Sequence, residues 1–249
     1  MSTPTNQIKG FLGGKIAKQK TAAVILAAGS SSRMGGHQSK QLIEVGGMPV
    51  LARTLLAFER CPVISEIVVV ARKADFDIIA TMKQDYRITK FKKLVTGGAT
   101  RQDSAKIGVD HLDASIRYVA IADGARCLVH PEQITDVCFA AYRYHAASAA
   151  HRVQDSVKRT DAHGMILETV DREQLWQVQT PQVFHTALYH AAASRAARDG
   201  VSVTDDNALI EHLGYQVKLV ECGARNLKIT TPEDLVLAEA ILSSEADKR

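Results

Sequence analysis

The residues best suited to phosphate chemistry gather early in the chain. An apolar run at 22–28 leads into Gly29-Ser30-Ser31-Ser32-Arg33-Met34-Gly35-Gly36, and Lys40 follows. Glycines and small serines let backbone N–H groups close around phosphate oxygens. Arg33 and Lys40 add positive charge to the same loop. Composition leaves two readings open: a flexible connection with solvated charges, or an anion-binding loop. Position favours the second, because ligands of open α/β sheets bind beyond the carboxyl ends of strands. The pattern is neither GxGxxG nor GxxxxGKS/T, which sets aside the dinucleotide fingerprint and the P-loop.

Other candidates lie downstream. Asp123 ends an apolar run, where a carboxylate either caps the next loop or serves a metal. Arg172 and Lys158 read as solvated charges or as anion contacts, and Trp176 as a packing anchor. No convincing nucleophile–base pair is present. Lysines and arginines abound at the candidate loops, so the expected chemistry is one that brings anions together rather than one that creates a nucleophile.

Composition narrows the classes further. The chain has 249 residues, 46% of them apolar and 23% charged, which is ordinary for a soluble globular protein. The formal charge of +4 comes from Lys9, Lys15, Lys18 and Lys20, since residues 1–20 hold no acidic residue. The remainder is neutral, which argues against a nucleic-acid surface. The extension reads as a disordered arm, with contact to a membrane surface as the alternative. No apolar run approaches the ~18 residues that span a bilayer. Four scattered cysteines without a CxxC pair suit reduced thiols, and a cytoplasmic location is expected. The histidines fall at neither zinc-finger nor HExxH spacing.

The elements that must position these residues alternate. Strands are expected at 22–28, 67–71, 118–122, 146–150 and 215–220. Helices are expected at 50–59, 102–111, 131–143, 186–198 and 205–213, the last capped by Thr204. A final helix starts at Pro232, with Thr231 as its cap. This order predicts a doubly wound, mostly parallel α/β sheet formed by residues 21–249 as one domain. Residues 151–179 break the rhythm. Their polar–apolar alternation around Asp161-Ala162-His163-Gly164 predicts a projecting two-stranded ribbon. Such a ribbon is marginal alone and needs a surface to pack on, a partner subunit being one candidate.

Several segments occur together in order: the glycine–serine loop with Arg33 and Lys40, then Thr96-Gly97-Gly98-Ala99-Thr100-Arg101-Gln102-Asp103-Ser104. Asp155-Ser156-Val157-Lys158-Arg159, Thr169-Val170-Asp171-Arg172 and Leu175-Trp176-Gln177-Val178-Gln179-Thr180-Pro181-Gln182 follow. Thr204-Asp205-Asp206 and Asn226-Leu227-Lys228-Ile229-Thr230-Thr231-Pro232-Glu233-Asp234 complete the series. Over roughly residues 22–242 the chain resembles the 2-C-methyl-D-erythritol 4-phosphate cytidylyltransferases of the sugar-phosphate nucleotidyltransferase superfamily.

The resemblance implies a Rossmann-like nucleotidyltransferase fold and transfer of CMP from CTP to a sugar-alcohol phosphate, within the non-mevalonate isoprenoid pathway. It implies Mg2+ or another divalent cation as cofactor. It assigns Arg33 and Lys40 to the α-phosphate, and Arg172 and Lys228 to the acceptor phosphate. Ala27, Ala28, Gly29, Gly98, Ser104, Asp123 and Thr180 fall on the nucleotide side, with Asp123 also near the metal. Ser156 falls on the substrate side. It further implies a homodimer whose ribbons, carrying Ser156 and Arg172, serve the neighbouring active site.

The chain departs from the family pattern at four places. Ser31 replaces a common glycine, Ser156 a threonine, and Ala99 a position that can be acidic. Ala122-Asp123-Gly124-Ala125-Arg126-Cys127 stands where His-Asp-Ala-Ala-Arg-Pro is usual. Two alternatives therefore stand beside the main expectation: a related enzyme with another acceptor, such as ribitol 5-phosphate, or a silent nucleotide-binding protein on the same fold.

Overall fold

The computed structural model describes residues 19–29 and 39–246. The N-terminal extension to Ala17-Lys18 and Arg33 with most of its loop lie outside the described residues. The first half contains β1 (Thr21–Ala27), β2 (Glu44–Val45), β3 (Met48–Pro49), α1 (Val50–Arg60), β4 (Ile64–Ala71), α2 (Phe76–Asp85), β5 (Phe91–Thr96) and α3 (Arg101–Asp110). Next come β6 (Tyr118–Asp123), α4 (Pro131–Tyr144), β7 (Ala146–Arg152), β8 (Val157–Thr160), β9 (Ile166–Val170) and β10 (Trp176–His185). The chain ends with α5 (Thr186–Asp199), α6 (Asp206–His212), β11 (Lys218–Glu221) and α7 (Pro232–Ala246).

Seven strands form one sheet in the order β11-β7-β10-β6-β1-β4-β5. All neighbouring pairs are parallel except those of β10, which runs antiparallel to both β6 and β7. β1 is buried along its whole length, and its alternating side chains serve two cores. Ala23, Ile25 and Ala27 pack with Leu51, Leu55 and Phe58 of α1 and with Ile134 and Val137 of α4. Val24 and Leu26 face the other side, with Val109 of α3, Tyr189 of α5 and Leu209 of α6. Each fully buried Val, Leu, Ile or Phe side chain stabilises the fold by about 1.5–3 kcal/mol.

The functionally important feature is the strand order. From β1 the chain winds outward through β4 and β5, then returns by α3 to place β6 on the opposite side of β1. The carboxyl ends of β1 and β6 thus flank a topological switch point, where open sheets form a crevice.

The expected strands and helices recur with shifted ends, and several details differ. The strand expected at 215–220 is shorter and later, at Lys218–Glu221. The ribbon expected over 151–179 is divided: its outer part is β8 paired antiparallel with β9, while its end from Trp176 begins β10, which pairs with the expected strand β7 in the main sheet. At the turn, the Asp161 carboxylate accepts from the N–H groups of His163 and Met165, both at 2.9 Å. At the ribbon base the Arg152 guanidinium lies 4.5 Å from the centre of the Trp176 ring, giving Trp176 the expected anchoring role.

The cap of α6 is Asp205, whose Oδ1 accepts from the Ala208 N–H at 3.1 Å; Thr204 lies one residue too early. β5 and α2 were not expected. β5 is an edge strand with two consecutive exposed lysines, Lys92 and Lys93, and α2 buries only Ile79 and Met82. Both carry weak periodic signals for that reason.

Candidate active site

Two loops meet at the switch point. After β5, Gly97 passes so close to β1 that a methyl group there would collide with Cβ of Ala28 and come within 2.9 Å of Ser104 Oγ. Glycine is therefore the residue that allows the contact. α3 then starts with a capping box: Thr100 Oγ1 accepts from the Asp103 N–H at 3.0 Å, and Asp103 Oδ2 accepts from the Thr100 N–H at 3.1 Å. Ser104 Oγ accepts from the Gly98 N–H at 3.1 Å and donates to the Thr100 carbonyl at 2.9 Å. Its hydroxyl shapes the glycine loop, which presents backbone to the crevice.

The crevice is an open pocket of about 460 Å³. Ala28, Gly29, Lys40, Gly98, Ser104, Asp123 and Lys228 line it, together with Arg101. Seven of the residues marked from sequence thus come together here from distant parts of the chain.

Asp123 forms the floor of the pocket, with its side chain 10% exposed. Lys228 Nζ lies 2.9 Å from Oδ2, Arg101 Nε 3.6 Å from Oδ1, and Arg126 Nε 3.7 Å from Oδ2. Burial opposes ionisation of Asp123, but Lys228, Arg101 and Arg126 outweigh it and hold its carboxyl below the usual carboxylate range. Arg101 Nη1 also bonds Asp206 Oδ2 at 2.7 Å. Burial pushes the Asp206 carboxyl up, with Arg101 opposing. Three cations therefore surround two carboxylates, and Lys40 adds a further positive charge to the wall. That excess suits a polyanionic ligand.

The loop after β6 is held firmly despite its unusual sequence. The Gly124 N–H donates to the Leu26 carbonyl at 2.8 Å, and Thr54 Oγ1 donates to the Gly124 carbonyl at 3.1 Å. A Cβ at Gly124 would stand 3.0 Å from Leu51 Cδ1 and 3.1 Å from the Leu26 carbonyl, so a glycine suits this close approach. The segment carrying Lys228 is pinned on both sides. Asn226 Nδ2 donates to Gln179 Oε1 at 3.1 Å and to the Thr180 carbonyl at 2.9 Å. The Ile229 N–H donates to the Ala125 carbonyl at 2.9 Å, and Asp234 Oδ2 accepts from the N–H groups of Thr230 and Thr231. Lys228 and Arg126 also line a neighbouring cavity of about 380 Å³ with His151, Gln177, Gln179 and Asp234.

The remaining marked residues are placed differently. Ala27 is buried in β1, and Thr180 is buried on β10, where its Oγ1 accepts from the Asp123 N–H at 3.0 Å. Thr180 positions the end of β6. Ser156 and Arg172 are exposed on the ribbon and do not line the pocket; Arg172 Nη1 donates to the Gln154 carbonyl at 2.6 Å. Arg101 and Arg126 were not singled out from sequence. Their signal was position: Arg101 follows the cap Thr100 beyond β5, and Arg126 stands three residues after Asp123.

Among the described residues no group of three or more His, Cys, Asp or Glu side chains could hold a metal ion. Among the described residues, Asp123 is the one carboxylate lining the pocket. A hard divalent cation fits that donor set when a polyphosphate supplies most of its oxygen ligands, as Mg2+ sites commonly do, and when Lys228 yields its contact.

A family model described as 2-C-methyl-D-erythritol 4-phosphate cytidylyltransferase matches residues 21–244. The chain belongs to this family. A 2-C-methyl-D-erythritol 4-phosphate cytidylyltransferase from Halalkalibacterium halodurans is 42% identical over 224 residues, covering 90% of this chain and 97% of its own. One from Syntrophus aciditrophicus is 39% identical over 229 residues, covering 92% and 98%. The crystal structure of the 4-diphosphocytidyl-2C-methyl-D-erythritol synthase from Anaerococcus prevotii superposes with a TM-score of 0.83 at 33% identity, covering 92% of this chain and 98% of its own. Membership in the cytidylyltransferase family agrees with the mostly parallel sheet and with the pocket at its switch point.

Proposed function

We propose that this chain transfers CMP from CTP to 2-C-methyl-D-erythritol 4-phosphate, giving 4-diphosphocytidyl-2-C-methyl-D-erythritol and pyrophosphate. The observation that carries this reading is the pocket that Lys40, Arg101 and Lys228 line together with Asp123, in a chain of the cytidylyltransferase family. A phosphate monoester is already ionised near pH 7, so the reaction needs no strong base. An oxygen of the acceptor phosphate attacks the α-phosphorus of CTP, the P–O bond to the β-phosphate breaks, and pyrophosphate leaves with the electron pair. The barrier lies in the repulsion between anions, and fixed cations lower it.

In this reading Gly98 and the backbone of Ala28 and Gly29 receive the nucleotide, with Ser104 holding the glycine loop in shape. Lys40, with Arg33, stabilises charge that develops at the α-phosphate. Lys228 contacts the nucleotide and the acceptor phosphate in this reading, and its lining of both cavities supports that double role. Mg2+ or another divalent cation would be held by Asp123 and the triphosphate, where it would neutralise phosphate charge.

The active enzyme is a homodimer in which each ribbon lends Ser156 and Arg172 to the other subunit's site. The exposure of Met165, Ile166 and Leu167 on the ribbon (67%, 63% and 57%) supports this arrangement, because an apolar tip calls for a covering surface. A cytoplasmic location suits the four buried cysteines, all of which carry free thiols. No helix among the described residues is long and apolar enough to cross a membrane.

Pyrophosphate release tests the reading, with CTP, UTP, ATP or GTP offered against methylerythritol phosphate or ribitol phosphate in the presence of Mg2+. Release confined to CTP with methylerythritol phosphate is expected. Release with another pair would keep the mechanism and discard the substrate. No release from a folded protein would leave a silent nucleotide binder.

A further inference from the structure

Arg101 begins α3, and its guanidinium lies between two unlike carboxylates. Nη1 is at hydrogen-bond distance from Asp206, 2.7 Å, whereas Nε is 3.6 Å from Asp123, beyond that range. Asp123 lines the pocket; Asp206 does not, and its side chain is 1% exposed. Three elements hold Asp206 in place. Tyr189 of α5 donates its hydroxyl to Oδ1 at 3.2 Å, and the Asp206 N–H donates to Gln182 Oε1 on β10 at 2.9 Å. The cap at Asp205 fixes the first turn of α6. Arg101 is the only ion-pair partner of Asp206 among the described residues. A buried carboxylate is costly to ionise unless it is paired and hydrogen-bonded. Among the described side chains that bind this carboxylate, Arg101 alone is charged, and Arg101 lines the pocket.

We propose that Asp206 is a positioning residue of the nucleotide pocket: it ties the Arg101 guanidinium to the wall, away from Asp123, and leaves the other Arg101 N–H donors to the nucleotide. The proposal rests on the reading of this pocket as the CTP site. A guanidinium carries five N–H donors, so one bond to Asp206 leaves most of them available. Released from Asp206, Arg101 would need to shift by less than an ångström to bond Asp123. It would then compete with Lys228 and with a divalent cation for the Asp123 carboxylate.

The test is calorimetric titration of CTP with Mg2+ and no acceptor, which measures binding without turnover. Asp206→Asn removes a negative charge near a site for a polyanion, so electrostatics alone predicts tighter binding. Positioning predicts the opposite sign: a loss of about tenfold, the scale of one charge-assisted hydrogen bond. In an Arg101→Ala background the Asp206→Asn change should cost no further CTP affinity, because the side chain it positions is gone. Thermal unfolding checks each variant. If Asp206→Asn does not fold, Tyr189→Phe removes only the hydroxyl on Oδ1 and should weaken CTP binding roughly threefold, again only with Arg101 present. Equal or tighter binding by the folded variant overturns the positioning role. An undiminished loss in the Arg101→Ala background also overturns it, since that would mark a merely structural residue. A wild-type protein that binds no CTP would bring down the CTP-site reading, and this proposal with it.

Discussion

The nucleotide pocket and the ribbon both carry residues expected to act on substrate, yet they are built in opposite ways. The pocket stands on the two central strands β1 and β6. Its charged groups are anchored by specific partners: Asp123 by Lys228, Arg101 by the buried Asp206, and the Lys228 segment by the buried Asn226 and by Asp234. The ribbon has almost no such support. β8 and β9 are exposed along most of their length, Arg172 is held by one backbone carbonyl, and the tip presents Met165, Ile166 and Leu167 outward. A site that must hold a reacting phosphorus to within fractions of an ångström belongs on rigid elements. The ribbon acquires comparable rigidity only when a second surface covers it. Under the proposed function, one chain supplies the nucleotide half of the site and the ribbon of a second subunit the acceptor half.

Lys40→Ala gives the largest effect expected from the pocket side. Loss of a charge at the developing phosphorane should lower kcat by about 10²–10³-fold, the range found for removing one preorganised stabilising group. Circular dichroism should be unchanged. A kcat near the wild-type value would remove Lys40 from the chemistry and weaken the contrast between the two regions.

A smaller effect is expected in the acid dependence of stability. Asp123 has a depressed folded-state pKa, so its ionisation contributes stability that is present above the ordinary carboxylate value and lost as pH falls through the folded value. Lys228→Ala removes the nearest cation and raises that pKa. Urea melts from about pH 7 to about pH 3 should show a stability deficit for the variant that is constant near neutrality and closes in acid. A deficit that widens in acid would show that Lys228 does not hold Asp123 in this way. The same melts on Arg172→Ala should match wild type throughout, because Arg172 has no ion-pair partner among the described residues.

Much of this organisation was legible in the sequence. The central strands announce themselves as uninterrupted apolar runs, Asp123 stands out at the end of one of them, and the glycine turn before α3 and the Lys228 segment were marked by the family resemblance. Arg101–Asp206 was not legible, since the partners are far apart along the chain and each alone resembles an ordinary charge at a helix start. The division of the ribbon was hidden for a related reason. β10 pairs with β6 and β7 of the main sheet through contacts that alternation within 151–179 does not encode. Thr180 and Ser104 were marked for the nucleotide, while their hydroxyls turn toward the backbone of β6 and of the glycine loop.

Mixing two inactive proteins tests the central claim most directly. Lys40→Ala and Arg172→Ala are first assayed alone, each expected to be severely impaired, and are then combined at equal concentration under conditions that allow subunit exchange. If each ribbon serves the opposite pocket, half of the dimers are mixed and each mixed dimer holds one intact site, so activity should return to roughly a quarter of wild type. No recovery after exchange is confirmed would contradict the account and place Arg172 in the same chain's site as Lys40.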